Sequence, residues 1–171
     1  MDVFEAIRNR RSIRDYSGKP VSDAVLKKVL EAARLAPSAR NRQEWRFIAV
    51  RDSAKRASLA QAAKGQEFVG KAPVVLAFCA TEDDDMMTCG QKAGPIDVSI
   101  ALAYVTLAAT AEGLGTCWLG AYHEDKVKEI LGVPANARVV AMTPLGYPAE
   151  HPGARSRKSF KEVVAFDGWK S

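Results

Sequence analysis

Four arginines fall within seven residues in the run Arg8-Asn9-Arg10-Arg11-Ser12-Ile13-Arg14, and a second basic cluster, Arg155-Ser156-Arg157-Lys158, lies near the other end of the chain. Planar guanidinium forks beside a hydroxyl are a donor set suited to a phosphate or another oxyanion. Two such clusters are able to close on one anionic group from opposite ends of the chain; a solvated basic surface is the plainer alternative. The 171 residues carry a formal charge of +5, which suits an acidic small ligand, a nucleic acid or an anionic surface. Because the charge is concentrated in the two clusters, a localised anion site is the better reading. A nucleic-acid module would need aromatic stacking platforms, and the aromatics near these clusters are scattered, so no nucleic-acid partner is expected.

Side-chain acid–base machinery is scarce. The two histidines, His123 and His151, stand in neither HExxH nor Cys/His spacing, so no dedicated metal site is expected. The acidic run Thr81-Glu82-Asp83-Asp84-Asp85 lacks the alternation of a calcium loop and reads as a solvated turn. No Walker or GxSxG motif is present. Gly113-Leu114-Gly115 with Gly120 puts the third glycine too late and follows a helix, so the dinucleotide reading fails on context. An enzyme with this inventory leaves the reaction to a cofactor, and no catalytic side chain is assigned.

The elements that must position the clusters follow from periodicity. Asp2 and Glu5 form a capping box for a short helix whose buried stripe is expected to be Val3, Phe4 and Ile7. Ser22 caps a helix to residue 35, with Val25, Leu26, Val29, Leu30 and Ala33 on one face. Strands are expected at 45–50, 73–80, 116–119 and 138–145, and further helices at 53–63, 96–112 and 124–131. The helix at 96–112 is apolar nearly all round, so it is either central in the core or buried against another subunit. With 47% hydrophobic residues and no linker-like stretch, residues 1–171 read as one α+β domain around an antiparallel or mixed sheet. The three cysteines, Cys79, Cys89 and Cys117, show no disulfide spacing. The opening Met1-Asp2-Val3-Phe4-Glu5 has no leader character, and the longest uncharged stretch, 98–111, is too short for a membrane span. The expectation is a soluble cytoplasmic protein without a membrane partner.

Five segments in order resemble the FMN-dependent nitroreductase family: Arg10-Arg11-Ser12-Ile13-Arg14; Ala36-Pro37-Ser38-Ala39-Arg40-Asn41-Arg42-Gln43-Glu44-Trp45; Gly113-Leu114-Gly115-Thr116-Cys117-Trp118-Leu119-Gly120; Pro144-Leu145-Gly146-Tyr147-Pro148; and the late Arg155-Ser156-Arg157-Lys158. The resemblance implies a three-layer fold with a mostly antiparallel sheet flanked by helices, in an entwined homodimer with FMN at the subunit interface. It implies that Arg10, Ser12 and Arg14, with Arg11 through its backbone, hold the FMN phosphate and ribityl chain, and that Arg155 and Arg157 close on it. Pro37, Ser38 and Asn41 would reach the flavin from the partner subunit, whereas the residues alone make Asn41 a turn former. Leu119, Gly120 and Ala121 would run beside the ring, whereas the residues alone make Gly120 a strand-end turn. Trp118 is expected to pack, and Tyr122 either flanks the pocket or is a surface aromatic. Glu44 stands where the family commonly has proline, which puts the stiffness of the Asn41 loop in question. The implied activity is ping-pong hydride transfer from NADH or NADPH through FMN to a small-molecule acceptor such as a nitroaromatic, quinone or activated alkene.

Overall fold

The computed structural model describes residues 1–82 and 84–169, so Asp83 of the acidic run lies outside the described residues. α1 (Val3–Asn9) begins with the expected reciprocal cap: the Glu5 N–H donates to Asp2 and the Asp2 N–H donates to Glu5, both at 2.8 Å. α2 (Asp23–Arg34) is capped by Ser22 and buries Leu26, Val29 and Ala33. A short 3-10 turn (Ala39–Asn41) leads to β1 (Trp45–Val50), α3 (Ser53–Ala62), α4 (Glu67–Lys71) and β2 (Val74–Ala80). α5 (Ala93–Ala111), β3 (Gly115–Thr116), α6 (Glu124–Leu131), β4 (Arg138–Gly146) and α7 (Phe160–Val163) follow.

The four strands form one antiparallel sheet in the order β1-β2-β4-β3. Every residue of β2 is buried, because side chains alternate between two covered faces. Leu76, Phe78 and Ala80 point into a core with α2 and α5, where Val29, Val98, Leu102 and Val105 meet them. Val75, Ala77 and Cys79 point the other way, against Leu59 of α3 and Val127 of α6. The result is helix, sheet, helix: the three layers expected.

Four expectations need correction. Val3, Phe4 and Ile7 are 58%, 66% and 52% exposed, and only Ala6 of α1 is buried; the stripe exists, but nothing within this chain covers it. The strand expected at 116–119 is hydrogen-bonded as a strand only at Gly115–Thr116, with a lone bridge from Leu119 to Met142. Trp118 is 45% exposed rather than packed. α4 went unseen because five residues show too little periodicity, and α5 starts at Ala93 because Pro95 sits in its first turn, where proline needs no hydrogen bond. By length and composition α5 is able to cross a bilayer, yet its Val98, Leu102, Val105 and Ala109 are fully buried in the core, while Tyr104 faces outward at 43% exposure.

Candidate functional site

Residues 10–14 leave α1 and are lashed to the end of the sheet. The Ile13 N–H donates to Thr116 O at 2.9 Å, and Ser12 bridges Thr116. A side chain at 115 would put its Cβ 2.5 Å from Ile13, so glycine there is a condition of this close approach. Gly115→Ala is expected to destabilise by about 1–3 kcal/mol, the usual cost of overpacking, and a thermal-unfolding midpoint unchanged from wild type would contradict the contact. Tyr16 is buried and donates its hydroxyl to Ile13 O at 2.7 Å. Burial pushes its phenol far above the ordinary range, so it remains a protonated donor.

The segment after β4 is stitched to the same run. The Ser17 N–H donates to Tyr147 O at 2.9 Å and the Ala149 N–H to Asp15 O at 3.0 Å. Glu150 accepts from the Arg14 N–H at 2.5 Å and the Asp15 N–H at 3.1 Å. This zipper delivers the C-terminal cluster to the N-terminal one. Arg10, Arg11, Ser12 and Arg14 share a cleft of about 460 Å³ with Arg155 and Arg157.

The guanidinium groups are poorly neutralised there. Arg11 donates to Arg8 O at 2.6 Å and Arg10 O at 3.0 Å, capping the end of α1. Arg157 rests on the Arg155 and Ser156 carbonyls at 3.2 and 2.9 Å, and Arg14 lies 6.0 Å from the Phe68 ring centroid. Among the described residues, no carboxylate forms an ion pair with Arg8, Arg10, Arg14, Arg155 or Arg157. Six arginines line this cleft against one carboxylate, Glu150, which is engaged by the Arg14 and Asp15 N–H groups, so the cleft keeps an excess of positive charge that attracts an anion. That donor set fits a phosphate dianion.

From Thr116 the chain runs back along β4 to a second hollow of about 320 Å³, lined by Gly120, Tyr122, Pro95 and Arg138. Leu119 is buried and bonded to Met142 in both directions, at 2.8 and 3.2 Å. Gly120 is exposed, its φ is outside the left-handed region, and a Cβ there would meet nothing within 4 Å. Neither backbone strain nor crowding within the chain calls for glycine. Ala121 O accepts from Gln66 Nε2 at 3.2 Å. Tyr122 is half-buried and donates to Val139 O at 2.5 Å, and burial pushes its phenol above the ordinary range. Its hydroxyl bond fixes it as one wall of this hollow. Cys79 and Cys117 are buried, with thiols pushed up by desolvation, Cys79 to about 11; both are inert.

Pro37, Ser38 and Asn41 lie elsewhere. Their loop is tied to Asp97 near the start of α5 by the Ala39 N–H, 3.1 Å from both carboxylate oxygens. Gly113 and the arginine run sit past the far end of that helix, about 20 Å away along its axis. Asn41 therefore does not line the arginine cleft of its own chain. Arg40, Asn41 and Gln43 have φ of 53°, 54° and 57°, which costs about 1–2 kcal/mol for each non-glycine residue. Asp85, expected in a solvated turn, instead accepts from Arg40 at 2.6 Å and lies 3.2 Å from Arg42. Glu44 also pairs with Arg42.

Glu150, Asp85 and Asp97 escaped the sequence reading. Asp97 had a signal, being the only charge between Lys92 and Glu112, and a lone charge in an apolar helix is buried with a task. Burial raises its carboxyl, the Ala39 N–H opposes this, and Asp85 and Glu44 add to the rise. A raised folded-state value gives stability below the unfolded value that is lost as pH rises through the folded one. Asp97→Asn removes this titration while keeping an acceptor for Ala39. The variant should therefore gain in melting temperature relative to wild type as pH rises above about 4, the ordinary aspartate value; a difference constant with pH would contradict the shift.

The sequence profile of the Nitroreductase family matches residues 7–87 and 62–147. An NADH dehydrogenase from Thermus thermophilus is 35% identical, over 96% of this chain and 95% of its own. An FMN reductase [NAD(P)H] from Bacillus subtilis is 31% identical, over 91% of this chain and 70% of its own. The crystallised NADPH:FMN oxidoreductase of Vibrio harveyi, complexed with NAD+, superimposes with a TM-score of 0.90 at 29% identity, covering 99% of this chain and 78% of that one. With the family profile matched over most of the chain, and one relative 35% identical along nearly the whole of both sequences, the chain belongs to the nitroreductase family.

Proposed function

We propose that the chain is an NAD(P)H-dependent FMN oxidoreductase whose arginine cleft holds the FMN phosphate. The observation that carries this is the meeting of Arg10, Ser12 and Arg14 with Arg155 and Arg157 in one cleft, where none of these guanidinium groups forms an ion pair among the described residues. The segment Leu119-Gly120-Ala121 leads from that cleft to the second hollow, and Gly120 leaves open space for a planar ring. Its relatives named FMN reductase and NADPH-flavin oxidoreductase support the same activity. Bound FMN supplies the hydride chemistry that the side chains lack. The protein's part is to anchor the phosphate, keep Tyr122 and Leu119 as rigid walls, and present amides to the ring edge, where fixed donors stabilise developing negative charge. NADH or NADPH and then a small acceptor, a nitroaromatic, quinone or activated alkene, use the same pocket in turn.

The working unit in this proposal is an entwined homodimer. The apolar faces left open support it: Phe4 and Ile7 on α1, Tyr104 on α5, and Phe160, Phe166 and Trp169 on the C-terminal arm are all exposed. The position of the Asn41 loop, far from its own arginine cleft, supports delivery of Pro37, Ser38 and Asn41 to the neighbour's flavin. Reduced cysteines suit a cytoplasmic setting. The test is the visible spectrum of the purified protein. A yellow preparation that releases FMN on heating and oxidises NADH or NADPH with a quinone is expected; a colourless protein that stays colourless with added FMN would overturn the reading.

A further inference from the structure

The Asn41 loop is held in an unfavourable shape by groups outside the flavin chemistry. Its backbone is pinned at several points: the Asn41 N–H donates to Ser38 O at 2.9 Å, the Gln43 N–H donates to Ser38 Oγ at 3.0 Å, and Gln43 Nε2 donates to Asn41 O at 3.2 Å. The Asn41 side chain is not employed, since among the described residues its carboxamide makes no hydrogen bond and the residue is exposed. A turn former would use that carboxamide on its own backbone. Here the turn is built without it, which leaves the amide free to meet a group outside the chain.

Arg40 and Arg42 flank Asn41, and both turn inward to one oxygen of Asp85, at 2.6 and 3.2 Å. The Asp85 side chain is only 12% exposed, while those of Arg40 and Arg42 are 64% and 39% exposed, so one nearly buried carboxylate gathers two arginines that otherwise reach solvent. Glu44 reinforces Arg42. Three left-handed non-glycine residues hold together only where their surroundings over-determine them, and the ion pairs supply that constraint at the position where the family's proline is absent. Asp97 fixes the start of the same turn through Ala39.

We propose that Asp85 is a positioning residue: by drawing in Arg40 and Arg42 on either side of Asn41, it sets the side chain that meets the flavin across the subunit boundary. This rests on the assignment of Asn41 to the flavin pocket made above. The Asp85 carboxylate is occupied by Arg40 and Arg42, so in this proposal its effect on the flavin passes through Asn41.

The experiment is a double-mutant cycle on FMN affinity, read by quenching of flavin fluorescence, with Asp85→Asn, Asn41→Ala and the pair. Asp85→Asn is expected to weaken FMN binding roughly 5- to 10-fold, the effect of losing a charge-assisted pair, and to change it less than about 2-fold when Asn41 is already alanine. The flavin-free protein gives a second readout, because releasing Arg40 and Arg42 should speed tryptic cleavage after them several-fold. Unchanged FMN affinity in Asp85→Asn, an equal loss in the Asn41→Ala background, or unaltered cleavage would each overturn the proposal. Wild-type protein that fails to bind FMN would instead overturn the function on which it rests, and this proposal with it.

Discussion

Replacing Arg10 and Arg14 together with alanine is expected to raise the FMN dissociation constant by about 10²- to 10⁴-fold and to yield a colourless, folded protein. Hydrogen bonds to charged groups contribute about 1.5–3 kcal/mol each, and each 1.4 kcal/mol is tenfold in affinity. Neither guanidinium forms an ion pair with a carboxylate among the described residues, and Arg14 is exposed while Arg10 is half-buried. The fold should therefore lose little: the run is anchored by the Ile13 and Tyr16 bonds, which alanine leaves in place. The melting temperature of the flavin-free protein checks this. A variant that keeps near-wild-type affinity would remove the phosphate from the cleft.

Gly120→Val is the second large effect. A Cβ at 120 would meet nothing within 4 Å in the chain alone, so the flavin-free protein should melt as wild type does. A branched side chain in that space would stand where the ring is placed, and displacement of a reacting group by about 1 Å is able to cost 100-fold in rate. The expected result is at least a tenfold loss of FMN affinity, together with a roughly 100-fold fall in the rate at which bound flavin is reduced by NAD(P)H. Gly115→Ala behaves in the opposite way, losing stability because its Cβ would strike Ile13. Wild-type flavin affinity and reduction rate in Gly120→Val would show that this segment does not face the ring.

The elements legible in the sequence are those whose signals are local. The capping box at Asp2, the Ser22 cap, the alternating run of β1 and the continuous apolar run of β2 each specify their structure within a few residues. The arginine runs were legible as an anion kit for the same reason. What spacing alone does not carry is the pairing that joins them: Glu150 reaches the Arg14 amide across 136 positions, and no local propensity encodes such a contact. Val3, Phe4 and Ile7 form an apolar stripe that this chain alone leaves exposed, because periodicity reports that a face wants covering and not what covers it. Asp85 shows the reverse error. A run of acids looks solvated until two arginines from a loop 45 and 43 positions away fold onto one of them.

The most direct measurement compares the affinities of flavin-free protein for FMN and for riboflavin, which differ only in the terminal phosphate. If both ends of the polypeptide converge to grip that group, FMN binds at least about 100-fold more tightly, and the gap closes in the Arg10→Ala, Arg14→Ala variant. Equal affinity for the two flavins in the wild-type protein would contradict the account.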